Sequence, residues 1–135
     1  MTKPEPVIRA VEAGGRAVDD PTCVEVHDLL ADMNLSHPYV IVERRDREPA
    51  GHHYMQVCLN DDFSYQVEYR EGREELHFQA HVPAQGPVIG PEPVAKVIDD
   101  WMRDGDAWRT ALAWTPLFPQ EKRQVRSPVR SRARR

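Results

Sequence analysis

Tyr54-Met-Gln-Val-Cys-Leu59, Phe63-Ser-Tyr-Gln-Val-Glu-Tyr-Arg70 and Glu75-Leu-His-Phe-Gln-Ala-His-Val82 are three runs in which apolar and polar side chains take turns. A period of two marks a strand with one buried and one wet face. Met55, Val57 and Leu59, then Phe63, Val67 and the ring bodies of Tyr65 and Tyr69, then Leu76, Phe78, Ala80 and Val82 fall on one side and are expected to build the core. The other side would show Tyr54, Gln56, Glu68, Arg70, His77 and His81 among others. With Tyr39-Val-Ile-Val-Glu-Arg44 just upstream, the pattern predicts four antiparallel strands at about 39–44, 52–59, 63–70 and 75–82.

Parity and charge constrain the hairpins. Leu59 and Phe63 share a face only across an odd loop, and Asn60-Asp61-Asp62 supplies three turn residues; Tyr54 then faces Glu68, and Gln56 faces Gln66. At the next hairpin a two-residue loop would oppose Glu68 to Glu75 and Arg70 to Arg73. Like charges directly opposite repel, so a four-residue loop, 71–74, is preferred; it pairs Arg70 with Glu75 and Glu68 with His77.

Upstream, Thr22 and Glu25 form a capping box behind Pro21, and Val26, Leu29, Leu30 and Met33 make an apolar stripe, so a helix is expected from about Cys23 to Met33. A short first strand at 6–11 and a turn at Gly14-Gly15 precede it. Downstream, Pro91 or Pro93 opens a second helix with Val94, Val97, Ile98 and Trp101 as its stripe. Gly105 is placed to end it as a left-handed cap, and Asp106 to cap a short segment over 107–113. The fold class is α+β: an antiparallel sheet of four to five strands, one helix before it and one or two after it, packed on one face. Residues 1–118 read as one domain, and 119–135 as a basic tail whose lack of periodicity predicts disorder.

The chain has 135 residues, 40% hydrophobic and 30% charged, which suits one core and excludes a two-domain enzyme. No apolar run approaches the roughly 18 residues of a membrane span, and the first residues lack a secretory stretch, so a cytoplasmic location is expected. Cys23 and Cys58 are then free thiols. The net charge of −4 is uneven: the last fifteen residues hold seven Lys/Arg and one acid, a charge of +6, which leaves −10 on the rest. An acidic body repels nucleic acid and attracts basic partners.

Chemistry is sparse. Cys23 and His27 have the i, i+4 spacing of a helical ligand pair, but two ligands do not make a site. His77 and His81 stand four apart on a strand, about 13 Å, too far for one ion. Both read as surface polar residues. Nucleophile elbows, phosphate loops and His-Glu-x-x-His pairs are lacking, and Glu68 beside His77 reads as an ion pair on an open sheet. No catalytic residue, metal or cofactor is expected, and the chain is read as a binding protein. Tyr54, Asp61, Asp62, Glu68, Glu71, Glu74 and Glu75, gathered on the last two hairpins, are the candidate contacts for a basic cleft, with Trp108 beside them. Trp101 and Trp114 are assigned to the core, and the acidic stretch Asp99 to Asp106 is the competing surface.

Leu29-Leu-Ala-Asp-Met33, Tyr39-Val-Ile-Val-Glu-Arg44, Tyr54-Met-Gln-Val57, Phe63-Ser-Tyr-Gln-Val-Glu-Tyr-Arg70 and Asp106-Ala-Trp-Arg-Thr-Ala-Leu-Ala-Trp114 follow one another in order. This order resembles immunity protein family 1 of bacterial polymorphic toxin systems over residues 6–116. The family-like positions are Val67, Glu68, Tyr69, Trp108 and Trp114. The resemblance implies a small α+β protein encoded beside a toxin, often a nucleic-acid deaminase, which it neutralises by occluding the active or substrate-binding site. The basic tail has no counterpart in that pattern. Its charge supports a second reading, a nucleic-acid-associated accessory protein tethered by the tail, which the −10 body opposes.

Overall fold

A computed structural model describes residues 6–84 and 90–118; the tail lies outside the described residues. The chain runs β1 (Ile8–Glu12), β2 (Ala17–Asp19), α1 (Cys23–Ala31), β3 (Tyr39–Arg44), β4 (His53–Leu59), β5 (Tyr65–Glu71), a 3-10 turn (Glu74–Leu76), β6 (His77–Val82), α2 (Glu92–Met102), α3 (Trp108–Ala111) and β7 (Thr115–Pro116). Seven strands form one antiparallel sheet ordered β2-β1-β3-β4-β5-β6-β7, more than the four to five expected. The additional strands are β2 and β7, three and two residues long, too short to display a period. They are also the sheet edges, and short edges offer little backbone for unwanted pairing.

Both central hairpins are two residues out of the expected register. In the first, Tyr54 faces Arg70 and Gln56 faces Glu68, because residues 60–64 form the connection. In the second, Arg70 faces His77 and Glu68 faces Gln79, because Glu74–Leu76 wind into a 3-10 turn instead of extending β6. A slip of two preserves the face of every side chain. Met55, Val57, Val67, Tyr69 and Val82 therefore still enter the core, joined by Val40 and Val42 of β3 and Ile8 and Ala10 of β1. The same cluster holds Val26, Leu29 and Leu30 of α1, Val94, Val97, Ile98 and Trp101 of α2, and Trp108 of α3.

The capping box forms as expected: the Thr22 hydroxyl accepts from the Glu25 amide at 3.1 Å, and the Glu25 carboxylate accepts from the Thr22 amide at 2.9 Å. The end of α2 is a correction. Asp104, not Gly105, takes the left-handed conformation, with φ 63°. Its amide donates to the Trp101 carbonyl at 3.2 Å and the Gly105 amide to the Asp100 carbonyl at 2.8 Å, a Schellman closure. Gly105 is needed for room instead. A Cβ there would lie 2.1 Å from Asp100 Oδ1, and the other oxygen of that carboxylate accepts from the Trp108 amide at 2.9 Å. Asp100, rather than Asp106, thus caps α3. Gly105→Ala is expected to lose this cap and destabilise the fold by about 1–2 kcal/mol, read as a lower urea midpoint.

Among the described residues, Arg44 is a buried charged side chain. Arg44 alternates with Val40 and Val42 toward the helices and is 5% exposed. Its guanidinium reaches Asp46 through Nε at 3.1 Å and Nη2 at 3.0 Å, and Asp104 through Nη1 at 2.8 Å. Arg47 adds a contact to the same Asp104 oxygen at 2.6 Å. The Arg44 guanidinium holds both carboxyls below their ordinary value.

Candidate functional site: the outer face of the sheet

Strand alternation that sends Met55, Val57, Val67 and Tyr69 inward sends Tyr54, Gln56, Cys58, Gln66, Glu68 and Arg70 outward. Most of this layer is half-buried by its own cross-strand packing. Its centre is a chain of polar contacts across β4, β5 and β6. Arg70 Nε donates to His77 Nδ1 at 3.0 Å, so that nitrogen must be the acceptor. The ring proton then sits on Nε2, which donates to Glu68 Oε1 at 2.8 Å. Arg70 Nη1 also donates to His52 Nδ1 at 3.3 Å, and the guanidinium carbon stands 5.7 Å from the centre of the Tyr54 ring, in cation–π range. Tyr54 meets the His77 ring edge-on at 5.8 Å. Phe118 does so at 6.0 Å. Nearby, Gln66 donates to Gln79 at 2.6 Å, and burial pushes the Cys58 thiol up.

Both ring nitrogens of His77 are occupied, and the ring is 4% exposed. The expectation of His77 as a surface polar residue is corrected: Tyr54 and Phe118 cover it. In this arrangement the His77 ring is enclosed, while the Glu68 carboxylate bound to it stays 19% exposed; through His77 the pair positions Arg70 and Tyr54. Among the described residues, no group of three or more His, Cys, Asp or Glu side chains is placed to hold a metal ion. Among the same residues, no helix is long and apolar enough to cross a membrane.

The eight expected contact residues do not form one patch. Tyr54 and Glu68 lie together on the outer face. Asp61 and Asp62 are exposed on the β4–β5 loop, whereas Glu74 and Glu75 are exposed in the 3-10 turn at the far end of β5. The seven residues of β5 separate the two groups by about 20 Å, so the two hairpin loops lie at opposite ends of one strand and not side by side. Glu71 faces the helix side and binds the Arg109 guanidinium. Trp108 is 3% exposed and belongs to the core: it stands edge-on to Tyr69 at 4.8 Å and to Trp114 at 6.1 Å. Trp101 is buried as expected, while Trp114 is half-buried at the margin of the core.

The competing stretch is largely engaged inside the molecule. Asp99 binds Arg103, Asp100 caps α3, and Asp104 holds Arg44 and Arg47. Sequence reasoning missed Arg70 and His52 as members of the site and placed Phe63 in the core. Phe63 is instead 59% exposed at the loop tip. Comparison with protein-family models, curated proteins and solved structures found no match.

Proposed function

We propose that the chain is an immunity protein that binds and neutralises a cognate bacterial toxin by occluding its active or substrate-binding site, and that it acts in the cytoplasm. The observation that carries this reading is the outer face, where Arg70 and Tyr54 are held in fixed positions by His77, Glu68 and His52. Tyrosine and arginine dominate binding hot spots, and side chains already locked lose little entropy on docking. Acidic loops at both ends of β5 bracket this surface, as a basic cleft requires. The −10 charge outside the tail supports the same partner, because a toxin that handles nucleic acid needs a cationic groove. A nucleic-acid deaminase is the toxin chemistry suggested by the family resemblance.

The test is kinetic, with the purified toxin encoded by the adjacent gene as the partner. Tyr54→Ala is expected to speed dissociation about tenfold or more while leaving association nearly unchanged. Reversing Asp61, Asp62, Glu74 and Glu75 to lysine is expected to slow association and weaken its salt dependence. Unchanged kinetics in both variants would place the contact elsewhere. The +6 tail favours the accessory reading in one respect only: loss of DNA or RNA binding on deletion of 119–135 would support it.

A further inference from the structure

The residue least accounted for by stability is Phe63. Its amide donates to the Asn60 carbonyl at 2.8 Å, and the Asn60 amide to the Ser64 carbonyl at 2.9 Å, which closes the β4–β5 turn. Phe63 holds the left-handed position of that turn, with φ 66°. Glycine adopts this backbone freely, and a bulky side chain does so under strain. The ring nevertheless remains 59% exposed, so burial does not offset the strain. The loop beneath it is stiff: Ser64 is 1% exposed, its amide donates to Asp62 Oδ1 at 3.0 Å, and Asn60 Nδ2 donates to its hydroxyl at 2.9 Å.

Charge defines what such a ring would meet. Asp61 and Asp62 immediately precede it, both exposed, and the Ser64 hydroxyl holds the Asp62 carboxyl below its ordinary range. One edge of the ring borders an apolar hollow of the same chain, with Leu30, Met33, Leu59, Tyr65 and Val82; a second hollow beside the loop, lined by Leu59, Asn60, Asp61, Asp62, Ser64 and His81, has no lysine or arginine. Leu35, 52% exposed, lies in the α1–β3 connection at the same end of the sheet, where the Leu59 amide bonds the Pro38 carbonyl at 2.7 Å. We propose that Phe63, with Asp61 and Asp62, is a docking knob that enters an apolar cup rimmed by cationic side chains on a protein partner. This rests on the reading of the chain as a toxin-binding protein and names the chemistry of the partner at one end of that surface.

The full chain is titrated by amide NMR with a β-cyclodextrin carrying an ammonium group on each sugar, an apolar cup with a cationic rim, and with neutral β-cyclodextrin. The charged host is expected to shift Asp61, Asp62 and Phe63 and to bind about tenfold tighter than the neutral one. Phe63→Gly should abolish both titrations and melt no lower than the wild type. Asp61→Asn with Asp62→Asn should bring the two hosts to parity. A Phe63→Gly protein that titrates like the wild type, hosts that shift Tyr39 or Phe118 instead, or a melting temperature about 5 °C lower would overturn the knob. So would a dimer lost in Phe63→Gly, which would assign the cup to a second copy. Against the toxin, Phe63→Ala is expected to dissociate about thirtyfold faster. A wild type that fails to bind the toxin overturns the proposed function while the host titration still judges the knob; toxin binding left intact by Phe63→Ala overturns the knob alone.

Discussion

Trp108→Ala is expected to destabilise the protein by about 3–5 kcal/mol, a large share of the roughly 5–15 kcal/mol that holds a domain of this kind together. The indole is 3% exposed and joins Tyr69 and Trp114 in one aromatic cluster. Trp114 Nε1 donates to the Trp108 carbonyl at 3.1 Å, and the Arg109 guanidinium stacks over the indole at 4.4 Å. Truncation would leave a cavity between α3 and β5 and loosen the packing of α3, which leads into β7. Urea unfolding reads the loss directly. On the proposed function, the variant's remaining folded fraction should dissociate from the partner at the wild-type rate, because Trp108 is buried. A stable variant with faster dissociation would return Trp108 to the contact set.

Arg44→Ala is the second large effect, about 2–4 kcal/mol, from lost packing and two lost charge-assisted pairs. Arg44→Met should recover much of it, since Asp46 and Asp104 are 39% and 59% exposed and stay solvated once the guanidinium is gone. The pair also sets an acid limit. Both carboxyls are held below their ordinary value of 3.8 in the folded protein. Their contribution is therefore complete above about pH 4 and disappears as pH falls through the depressed values. Urea midpoints measured from pH 6 down to pH 2 should fall more steeply for the wild type than for Arg44→Met. Parallel curves would mean that the cluster does not couple to folding.

Which residues face inward was legible because strand parity survives errors of register. The slip of two in each hairpin left Val57, Val67 and Tyr69 in the core, although it changed nearly every cross-strand partner. The site depended on those partners, so it was less legible. The expected register sets Glu68 directly opposite His77 and Arg70 opposite Glu75; in the structure Glu68 meets His77 diagonally, Arg70 stands opposite His77, and the His77 ring joins the two. Phe63 fits the period of two, and only the turn geometry removes it from the strand. Trp108 and the acids of α2 were ambiguous for a different reason. An acid that caps a helix or holds a buried arginine looks, in sequence, the same as one that faces a partner. Asp100 and Asp104 are distinguished only by the tertiary placement of Trp108 and Arg44.

The most direct test of toxin neutralisation is a titration of the adjacent-gene toxin's activity with the purified full chain. An immunity protein that covers the active or substrate-binding site should abolish activity at a one-to-one ratio, and Tyr54→Ala should raise the amount of protein required in proportion to its faster dissociation. Undiminished toxin activity at a large excess of the chain would contradict the proposed function.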